Sequence, residues 1–164
     1  MTSEVIPPVR EGDATLRMLT AADLPLTLAW RNHPDSRAWF LSTAVLEPRQ
    51  HELWFEAYQR REDDYVFIVE VDQTARAQVA LYNISPAGAE FGRLLVDPDA
   101  RGQGFSHRVI ALCIRAAKER LALPKLTLEV KQDNVAALRA YDRAGFTEVR
   151  RDSQVIVHME VRLT

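Results

Sequence analysis

One strand–helix–strand unit constrains the fold of this chain more than any other feature. Residues 90–96 have the pattern of a strand that ends at Asp97-Pro98, and residues 126–130 have the pattern of another. Between them, apolar residues recur at i, i+3, i+4 and i+7, as one face of a helix requires: Val109, Leu112, Cys113 and Ala116. Strands joined through such a helix lie parallel in one sheet, with a right-handed crossover. The unit therefore predicts a sheet that contains a parallel pair.

The rest of the chain predicts strands joined by short turns, which pair antiparallel. Further strands are expected at residues 14–19, 65–71, 75–82, 147–151 and 155–163. Further helices are expected after Thr20 and Asp23, at residues 47–61, and from an Asn134 cap to Ala144, with Pro25 confined to a first turn. The predicted fold is mixed α/β (α+β), with a largely antiparallel central sheet and flanking helices. Residues 14–164 are expected to form a single domain, and residues 1–13 a flexible lead-in.

Composition excludes several classes of protein. The 164 residues suit one domain, and 21 basic against 23 acidic residues give a net charge of −2, which argues against a nucleic-acid partner. Every apolar run is too short for a membrane-spanning helix, and the N-terminus lacks the apolar stretch of a secretory signal. The single cysteine, Cys113, excludes an intramolecular disulfide and favours a reducing, cytoplasmic location. The histidines and Cys113 lack metal-ligand spacing, so no metal is expected.

The turn that leads into the central helix is suited to binding a pyrophosphate. Its sequence is Arg101-Gly102-Gln103-Gly104-Phe105-Ser106-His107. A helix start leaves about four backbone N–H groups unpaired and carries partial positive charge, and glycines let phosphate oxygens approach the backbone. Arg101 and Arg108 offer additional cationic contacts. A Rossmann fingerprint would need a small residue at His107, and no Walker sequence is present. From the glycines alone, an ordinary strand-to-helix turn remains an equal alternative.

Two motifs together resemble the GNAT N-acetyltransferase superfamily. Residues 96–104 are similar to its motif A, Arg/Gln-x-x-Gly-x-Gly/Ala, with Ser106 in place of the last small residue. Downstream, Asn134-x-x-Ala137-x-x-x-Tyr141-x-x-x-Gly145-Phe146 resembles its second signature at the expected spacing. The resemblance implies acetyl-CoA as the donor, with its pyrophosphate on the turn and its pantetheine in a splayed gap between strands 90–96 and 125–130. The implied cofactor-binding residues are Leu94, Leu95, Val96, Arg101, Gly102, Gln103, Gly104, Phe105, Ser106, His107 and Asn134.

Acetyl transfer from a thioester to an amine needs a neutral amine, a donor to the oxyanion and an acid for the departing thiolate. Tyr141 is expected to be that acid, because a tyrosine pKa of about 10 is close to that of an alkyl thiol and the superfamily tyrosine has this role. The alternative is that Tyr141 only packs against the sheet. Glu129 and Glu90 are both candidate bases, with Glu129 slightly favoured, and direct proton loss to water is a third route. Leu95 or a neighbouring backbone N–H is the expected oxyanion donor.

The N-terminal half is expected to determine the acceptor. Arg31-Asn32-His33-Pro34, Trp39, Ser42-Thr43 and His51 together resemble the acetyltransferases of pseudaminic acid biosynthesis, which acetylate UDP-4-amino-4,6-dideoxy-N-acetyl-β-L-altrosamine. That resemblance implies a nucleotide-linked amino sugar as acceptor, contacted by Arg31 and His51. Its further candidate contacts are Trp39, Tyr82 and Asn83. Taken singly, each of these residues also fits an ordinary structural role, as core, helix end or surface.

Two other functions remain open at this stage. One is a ribosomal-protein or peptide N-terminal acetyltransferase, which would need an open acidic groove. The other is a non-catalytic sensor of acyl-CoA, against which the presence of Tyr141 argues. The sequence indicates no membrane partner, and it allows either a monomer or a homodimer.

Overall fold

The computed structural model describes residues 4–40, 42–153 and 155–164, in which eight strands form one sheet. The strands are β1 (Val9–Glu11), β2 (Ala14–Met18), β3 (Asp64–Val71), β4 (Thr74–Ser85), β5 (Gly88–Val96), β6 (Lys125–Lys131), β7 (Thr147–Asp152) and β8 (Ile156–Arg162). Their order across the sheet is β1-β2-β3-β4-β5-β6-β8-β7. The β5–β6 pair is parallel, and the other neighbouring strands pair antiparallel. The predicted fold class is confirmed.

Helices cover both faces of the sheet. They are α1 (Leu24–Asn32), α2 (Pro34–Arg37), α3 (Pro48–Tyr58), α4 (Phe105–Glu119) and α5 (Val135–Arg143). Alternate residues of β3 join two separate apolar clusters: Phe67 packs in the cluster that contains the stripe of α4, and Ile68 packs in the cluster that contains Phe55 of α3. Because successive side chains of a strand point to opposite faces, α4 and α3 lie on opposite sides of the sheet. In the described residues no helix has the length and apolar character needed to cross a membrane.

The expectation of a flexible lead-in over residues 1–13 is wrong for residues 9–11. These residues form β1, which pairs antiparallel with β2, and Val9 is buried. The segment before β1 is held by a distant group, since Arg120, the residue after α4, donates to the carbonyl oxygens of Pro7 and Pro8. A strand of three residues shows no periodicity, so only its tertiary contacts reveal it.

Two further elements differ from the prediction. The short helix α2 follows α1 directly, where the sequence predicts only a helix break. Strand β4 continues to Ser85, three residues beyond its predicted end, because Ser85 pairs with Gly88 of β5. Asn83 has a left-handed φ of 51°, and the register with β5 shifts between Tyr82 and Ser85. The β4–β5 connection is therefore a two-residue turn. Pro25 lies in the first turn of α1, as predicted.

The parallel pair β5–β6 is joined only at one end. Its paired residues are Ala89 with Leu126 and Glu90 with Thr127, although both strands continue for several residues beyond. At this apex Gly88 has a φ of 142°, and a Cβ there would lie 2.3 Å from the carbonyl oxygen of Lys125. The two backbones approach closely at the apex and diverge beyond it. This divergence produces the splayed gap that the family resemblance implies.

Candidate active site

The splayed gap opens into a cleft of about 710 Å³. Its walls come from the end of β5, from β6, from α5 and from the α1–α2 region, so it is bounded by distant parts of the chain. Six of the predicted cofactor-binding residues line it: Leu94, Leu95, Val96, Arg101, Ser106 and Asn134. Asn134 also caps α5 by accepting a hydrogen bond from the backbone N–H of Ala137 at 3.2 Å.

The glycine turn leaves the start of α4 open to a ligand. Gly102 and Gly104 adopt left-handed φ angles of 81° and 70°, and no atom lies within 4 Å of where a Cβ would stand on either. Gly104 is the N-cap of α4 and has no side chain with which to cap the free N–H groups. This arrangement fits a pyrophosphate.

The other predicted residues of the turn do not line the cleft with their side chains. Gln103 and His107 are exposed, whereas the Phe105 side chain is buried in the core, so Phe105 offers a ligand only its backbone. Arg101 spans the cleft to α2, where it lies 2.8 Å from the hydroxyl of Ser36. Arg108, suggested above as a cationic contact, instead pairs with Asp13 beside β2.

A bulge in β5 shapes the middle of the cleft. Gln78 of β4 pairs with Leu95 while Ala80 pairs with Gly92, so β5 carries an extra residue at this point, and Arg93 has a φ of 53°. The Gln78 side chain donates to the carbonyl oxygen of Arg93 at 3.0 Å, and the Arg93 guanidinium lies 2.8 Å from the buried carboxylate of Asp64. These contacts hold the bulge in place and expose the backbone next to Leu94 to the cleft. The sequence gives no signal for this bulge, and Arg93 was not among the predicted residues.

Tyr141 lies on α5 where the cleft meets the core. Its ring is 91% buried and packs edge-on against Phe91 and Phe146, at centroid distances of 5.7 and 5.8 Å. Burial raises the pKa of Tyr141 to about 12, with a smaller contribution from Tyr82. The hydroxyl is therefore protonated at neutral pH, as an acid for a departing thiolate must be.

The structure separates the two candidate bases. Glu129 lines the cleft and is half-exposed, with its carboxylate 3.6 Å from Nδ1 of His158. Glu90 accepts a hydrogen bond from the Asn83 side chain, and neither of these two residues lines the cleft. The geometry favours Glu129 as the base.

Tyr82 lines the cleft below the Arg93 guanidinium, which lies 4.4 Å from the centre of its ring. Burial raises the pKa of the Tyr82 hydroxyl, and the nearby carboxylates of Glu90 and Glu129 raise it further. Tyr82 therefore presents a protonated hydroxyl to the cleft at neutral pH.

A second cavity, of about 310 Å³, adjoins the cleft on the side of α1 and α3. Both spaces are lined by Arg31, Phe40, Arg93 and Leu95, so they meet at these residues. His51 lines the second cavity with its ring stacked on Trp54, at a centroid distance of 5.4 Å. Burial lowers the pKa of His51, which makes it a neutral hydrogen-bonding group. Trp39 lines the main cleft and is 44% exposed.

Two neighbouring arginines lack an acidic partner among the described residues: Arg31 lines both cavities, whereas Arg37 of α2 lines neither. Arg31 donates to the carbonyl oxygen of Ser42 at 2.9 Å and lies 4.0 Å above the Phe40 ring, but its Nη1 is buried without an acceptor. Nε of Arg37 is likewise buried without an acceptor. Burial lowers the pKa of Arg31, and the charge of Arg37 lowers it further. Sequence reasoning identified Arg31 but missed Arg37, because only the fold of α2 brings their charges together.

Splayed parallel strands with a glycine turn at the head of a helix define the coenzyme A-dependent acyltransferase class. The chain belongs to the acetyltransferase (GNAT) domain family, whose sequence model matches residues 13–147. The sequence-based predictions of this family, of an acetyltransferase and of acetyl-CoA as the donor are confirmed at the level of the family.

Curated relatives carry different substrate names. The chain is 32% identical over 152 residues to the mycothiol acetyltransferase of Salinispora arenicola, an alignment that covers 85% of this chain and 46% of that protein. It is 31% identical over 147 residues to alpha/beta-tubulin-N-acetyltransferase 9 of Drosophila melanogaster, covering 85% of this chain and 68% of that protein. The chain thus spans less than half the length of the mycothiol acetyltransferases that it matches.

Solved structures share the fold at low sequence identity. The spermidine N-acetyltransferase of Vibrio cholerae, in complex with CoA and spermine, superposes with a TM-score of 0.86 at 22% identity, covering 93% of this chain and 97% of that one. The N-acetyltransferase PseH of Campylobacter jejuni superposes with a TM-score of 0.76 at 19% identity, covering 93% of this chain and 100% of that one. At these identities the likeness concerns the fold alone.

Proposed function

We propose that this acetyltransferase domain transfers the acetyl group of acetyl-CoA to the amine of a nucleotide-linked amino sugar, of the UDP-4-amino-4,6-dideoxy-N-acetyl-altrosamine type. The observation that carries the proposal is Arg31, which lines both cavities, has a buried Nη1 without an acceptor and lies close enough to Arg37 to feel its charge. Buried guanidinium groups without an acceptor are costly, and a diphosphate satisfies them with charge-assisted hydrogen bonds.

The donor side of the cleft fits acetyl-CoA. The open N–H groups of the turn at Gly102 and Gly104 would hold the pyrophosphate, and the gap between β5 and β6 would take the pantetheine. The exposed backbone of the bulge, around Leu94 and Leu95, would donate to the acetyl carbonyl oxygen. Tyr141 lines the same cleft, and the thioester sulfur would lie near its hydroxyl.

The chemistry assigns one proton transfer to each of two side chains. Glu129 would take a proton from the ammonium of the acceptor, so that the nitrogen gains the lone pair needed for attack. The bulge N–H would stabilise the negative charge that develops on the carbonyl oxygen. Once the carbon–nitrogen bond has formed, the nitrogen would lose its second proton, either to Glu129 after Glu129 has released the first or to water. Tyr141 would donate its proton to the thiolate as the carbon–sulfur bond breaks, and water would restore it.

The charges on the two sides of the cleft match the two ends of such an acceptor. The amine end requires a carboxylate, which Glu129 supplies, and the diphosphate end requires a cation, which Arg31 supplies with the charge of Arg37 nearby. The stack of His51 on Trp54 in the second cavity offers a flat surface for a base ring.

A peptide or protein amine is the second candidate acceptor, and the likeness to a tubulin N-acetyltransferase over 68% of its length favours it. Such an acceptor would approach through the open side of the cleft and would leave the two arginines unsatisfied. A non-catalytic acyl-CoA sensor is the third candidate. The position of Tyr141 on the cleft argues against it.

The proposal is tested by offering acetyl-CoA with UDP-4-amino-sugars and, separately, with a set of peptides bearing free N-termini, and by detecting acetylated products with mass spectrometry. Acetylation of the sugar nucleotide is expected. Acetylation of peptides alone would leave the donor chemistry standing and overturn the acceptor assignment. Failure of saturating acetyl-CoA to raise the melting temperature would contradict the donor site itself, because a ligand that binds only the folded state must stabilise it.

Replacing Arg31 by glutamine is expected to raise the KM for the UDP-amino sugar about 10- to 100-fold, as loss of a charge-assisted hydrogen bond worth about 1.5–3 kcal/mol requires. The KM for acetyl-CoA should change little. The matched control is Arg49→Gln, which removes an exposed arginine of α3 that pairs with Glu52. If both variants have the same KM for the sugar nucleotide, Arg31 does not bind the acceptor.

A further inference from the structure

A line of three side chains leads from the cleft to the edge of the sheet. Glu129 lies on β6, His158 on β8 and Asp152 on β7. The carboxylate of Glu129 is 3.6 Å from Nδ1 of His158, and Nε2 of the same ring is 2.7 Å from the carboxylate of Asp152. The His158 side chain is only 12% exposed, whereas the two carboxylates are 46% and 50% exposed. A mostly buried imidazole thus bridges a carboxylate in the cleft and one at the surface.

Strand register holds this arrangement in place. Glu129 and His158 lie directly opposite each other in the β6–β8 ladder, so their side chains share one face of the sheet. Asp152 pairs with Ile156, two residues from His158, which puts its side chain within reach of the ring. Arg150 of β7 also pairs with Asp152, and the hydrogen bond with His158 lowers the pKa of Asp152. Asp152 is therefore ionised at neutral pH and accepts the hydrogen bond from Nε2–H.

Other charged groups near the ring have partners of their own. On the same strand, Glu160 lies 3.7 Å from Lys125. On β6, Lys131 donates to the carbonyl oxygen of Ala38 at 3.2 Å. Within the described part of the chain no group of three or more His, Cys, Asp or Glu residues is arranged to hold a metal ion, so this line is not a metal site. With Nε2–H donating to Asp152, Nδ1 presents its lone pair towards Glu129.

We propose that His158, held by Asp152, takes over the amine proton from Glu129 and so returns Glu129 to its ionised form within one catalytic cycle. The inference rests on the proposed function, in which Glu129 is the base. An ammonium acceptor must lose two protons, one before the nitrogen attacks and one after the carbon–nitrogen bond has formed. Glu129 holds only one proton at a time. His158 is thus a positioning residue that acts through Glu129.

The proton transfers balance. The ammonium passes its first proton to Glu129, and Glu129 passes it to Nδ1 of His158, which becomes an imidazolium paired with Asp152. Glu129, again a carboxylate, takes the second proton as the tetrahedral species collapses, while Tyr141 protonates the thiolate. After the products leave, His158 loses its Nδ1 proton and Glu129 its proton to water, and Tyr141 regains one from water. One net proton is released for each amide formed.

The kinetic test compares His158→Gln with Glu160→Gln, using UDP-4-amino-4,6-dideoxy-N-acetyl-altrosamine as the acceptor. His158→Gln is expected to lower kcat about tenfold or more, less than loss of the base itself, with KM values for both substrates within about twofold. Added imidazole, at constant pH and ionic strength, should restore part of kcat in this variant only. Glu160 lies on the same strand as His158 and forms an ion pair with Lys125, whose side chains are partly exposed like those of the His158–Asp152 pair. Glu160→Gln removes this ion pair and should keep wild-type kcat. A loss of kcat that imidazole does not restore, and that a lower melting temperature accompanies, would show a purely structural role.

Glu129→Gln separates failure of this inference from failure of the proposed function. If Glu129→Gln keeps wild-type kcat, Glu129 is not the base and the proposed mechanism fails together with the inference. If Glu129→Gln lowers kcat while His158→Gln does not, only the role of His158 fails.

A second measurement requires no acceptor. Long-range proton–nitrogen NMR spectra of the ¹⁵N-histidine-labelled protein report which ring nitrogen of His158 carries the proton. The Nε2–H tautomer is expected, and Asp152→Asn should lower the fraction of His158 that is in this tautomer. The opposite tautomer, with Nδ1–H directed at Glu129, would overturn the inference, because that nitrogen would have no lone pair to receive a proton.

Discussion

Replacing Tyr141 by phenylalanine is expected to lower kcat about 10²- to 10³-fold and to leave the affinity for acetyl-CoA unchanged. The ring is buried against Phe91 and Phe146, and phenylalanine retains these contacts, so the change removes only the hydroxyl. Without it, the thiolate must leave unprotonated or take its proton from water. Steady-state kinetics that follow the release of free CoA thiol, together with a binding measurement for acetyl-CoA, would check both parts of the expectation.

Tyr65→Phe is the matched control. Tyr65 is another buried tyrosine. It lies on β3 and does not line the cleft, and its hydroxyl donates to the carbonyl oxygen of Glu4. Its loss should leave kcat unchanged. Equal decreases of kcat and of acetyl-CoA affinity in Tyr141→Phe would instead indicate that Tyr141 only packs. Because burial raises the pKa of Tyr141 to about 12, the hydroxyl keeps its proton as pH rises through the usual assay range, and no alkaline loss of activity below about pH 10 should come from this residue.

Replacing Gly88 by alanine is expected to destabilise the protein by about 3 kcal/mol or more, from two separate causes. A φ of 142° is a region that only glycine adopts readily, at a cost of about 1–3 kcal/mol for other residues. The new Cβ would also lie 2.3 Å from the carbonyl oxygen of Lys125, and relieving this contact requires the backbones of β5 and β6 to move apart. Overpacking of this kind costs about 1–3 kcal/mol. Urea denaturation would measure the free energy of unfolding.

Gly12→Ala separates the two causes. Gly12 also has a positive φ, of 60°, but nothing lies within 4 Å of where its Cβ would stand. Its replacement should cost about 1–2 kcal/mol, the penalty for the left-handed conformation alone. If Gly88→Ala is no more destabilising than Gly12→Ala, the backbones do not meet closely at the apex. Because Gly88 is at the apex of the splayed pair, Gly88→Ala should also weaken acetyl-CoA binding, whereas Gly12→Ala should not.

The cleft carries cationic and acidic side chains at different places. Arg31 lies where the two cavities meet and feels the charge of nearby Arg37, and Glu129 lines the cleft from β6. A fully cationic acceptor would gain from Glu129 but would be repelled by the two arginines. An amino-sugar nucleotide, with an amine at one end and a diphosphate at the other, is complementary to both sides.

Much of the fold could be predicted because the relevant signals are local. The apolar stripe of α4 and the β-branched runs of β3 and β6 each show the periodicity of their element. The glycine turn, the Asn134 cap and the position of Tyr141 on α5 followed from motifs with fixed spacing. The short elements β1 and α2 could not be predicted, since three or four residues show no period and their order depends on distant partners.

The candidate site residues divide into those that line the cleft and those that do not, and this division depends on tertiary contacts. Arg31, Glu129 and Tyr141 were recognised from residue type and position, and the structure puts all three on one cleft. Glu90 was a candidate base ranked just below Glu129, and Asn83 a weaker candidate for acceptor binding; in the structure the two hydrogen-bond each other outside the cleft lining. The direction of a strand side chain depends on register, and the irregular pairing near Tyr82 and Asn83 changes that register without a sequence signal.

By itself the sequence determined the order of the longer strands and helices, the parallel crossover, the glycine turn and the position of Tyr141 on α5, because each depends on residues close together in the chain. Only the tertiary structure decided that the Arg93 bulge is held against Asp64, that Arg31 lies at the junction of two cavities near Arg37, and that His158 lies between Glu129 and Asp152. These contacts join residues from separate elements, and packing and register, which no local pattern encodes, bring them together.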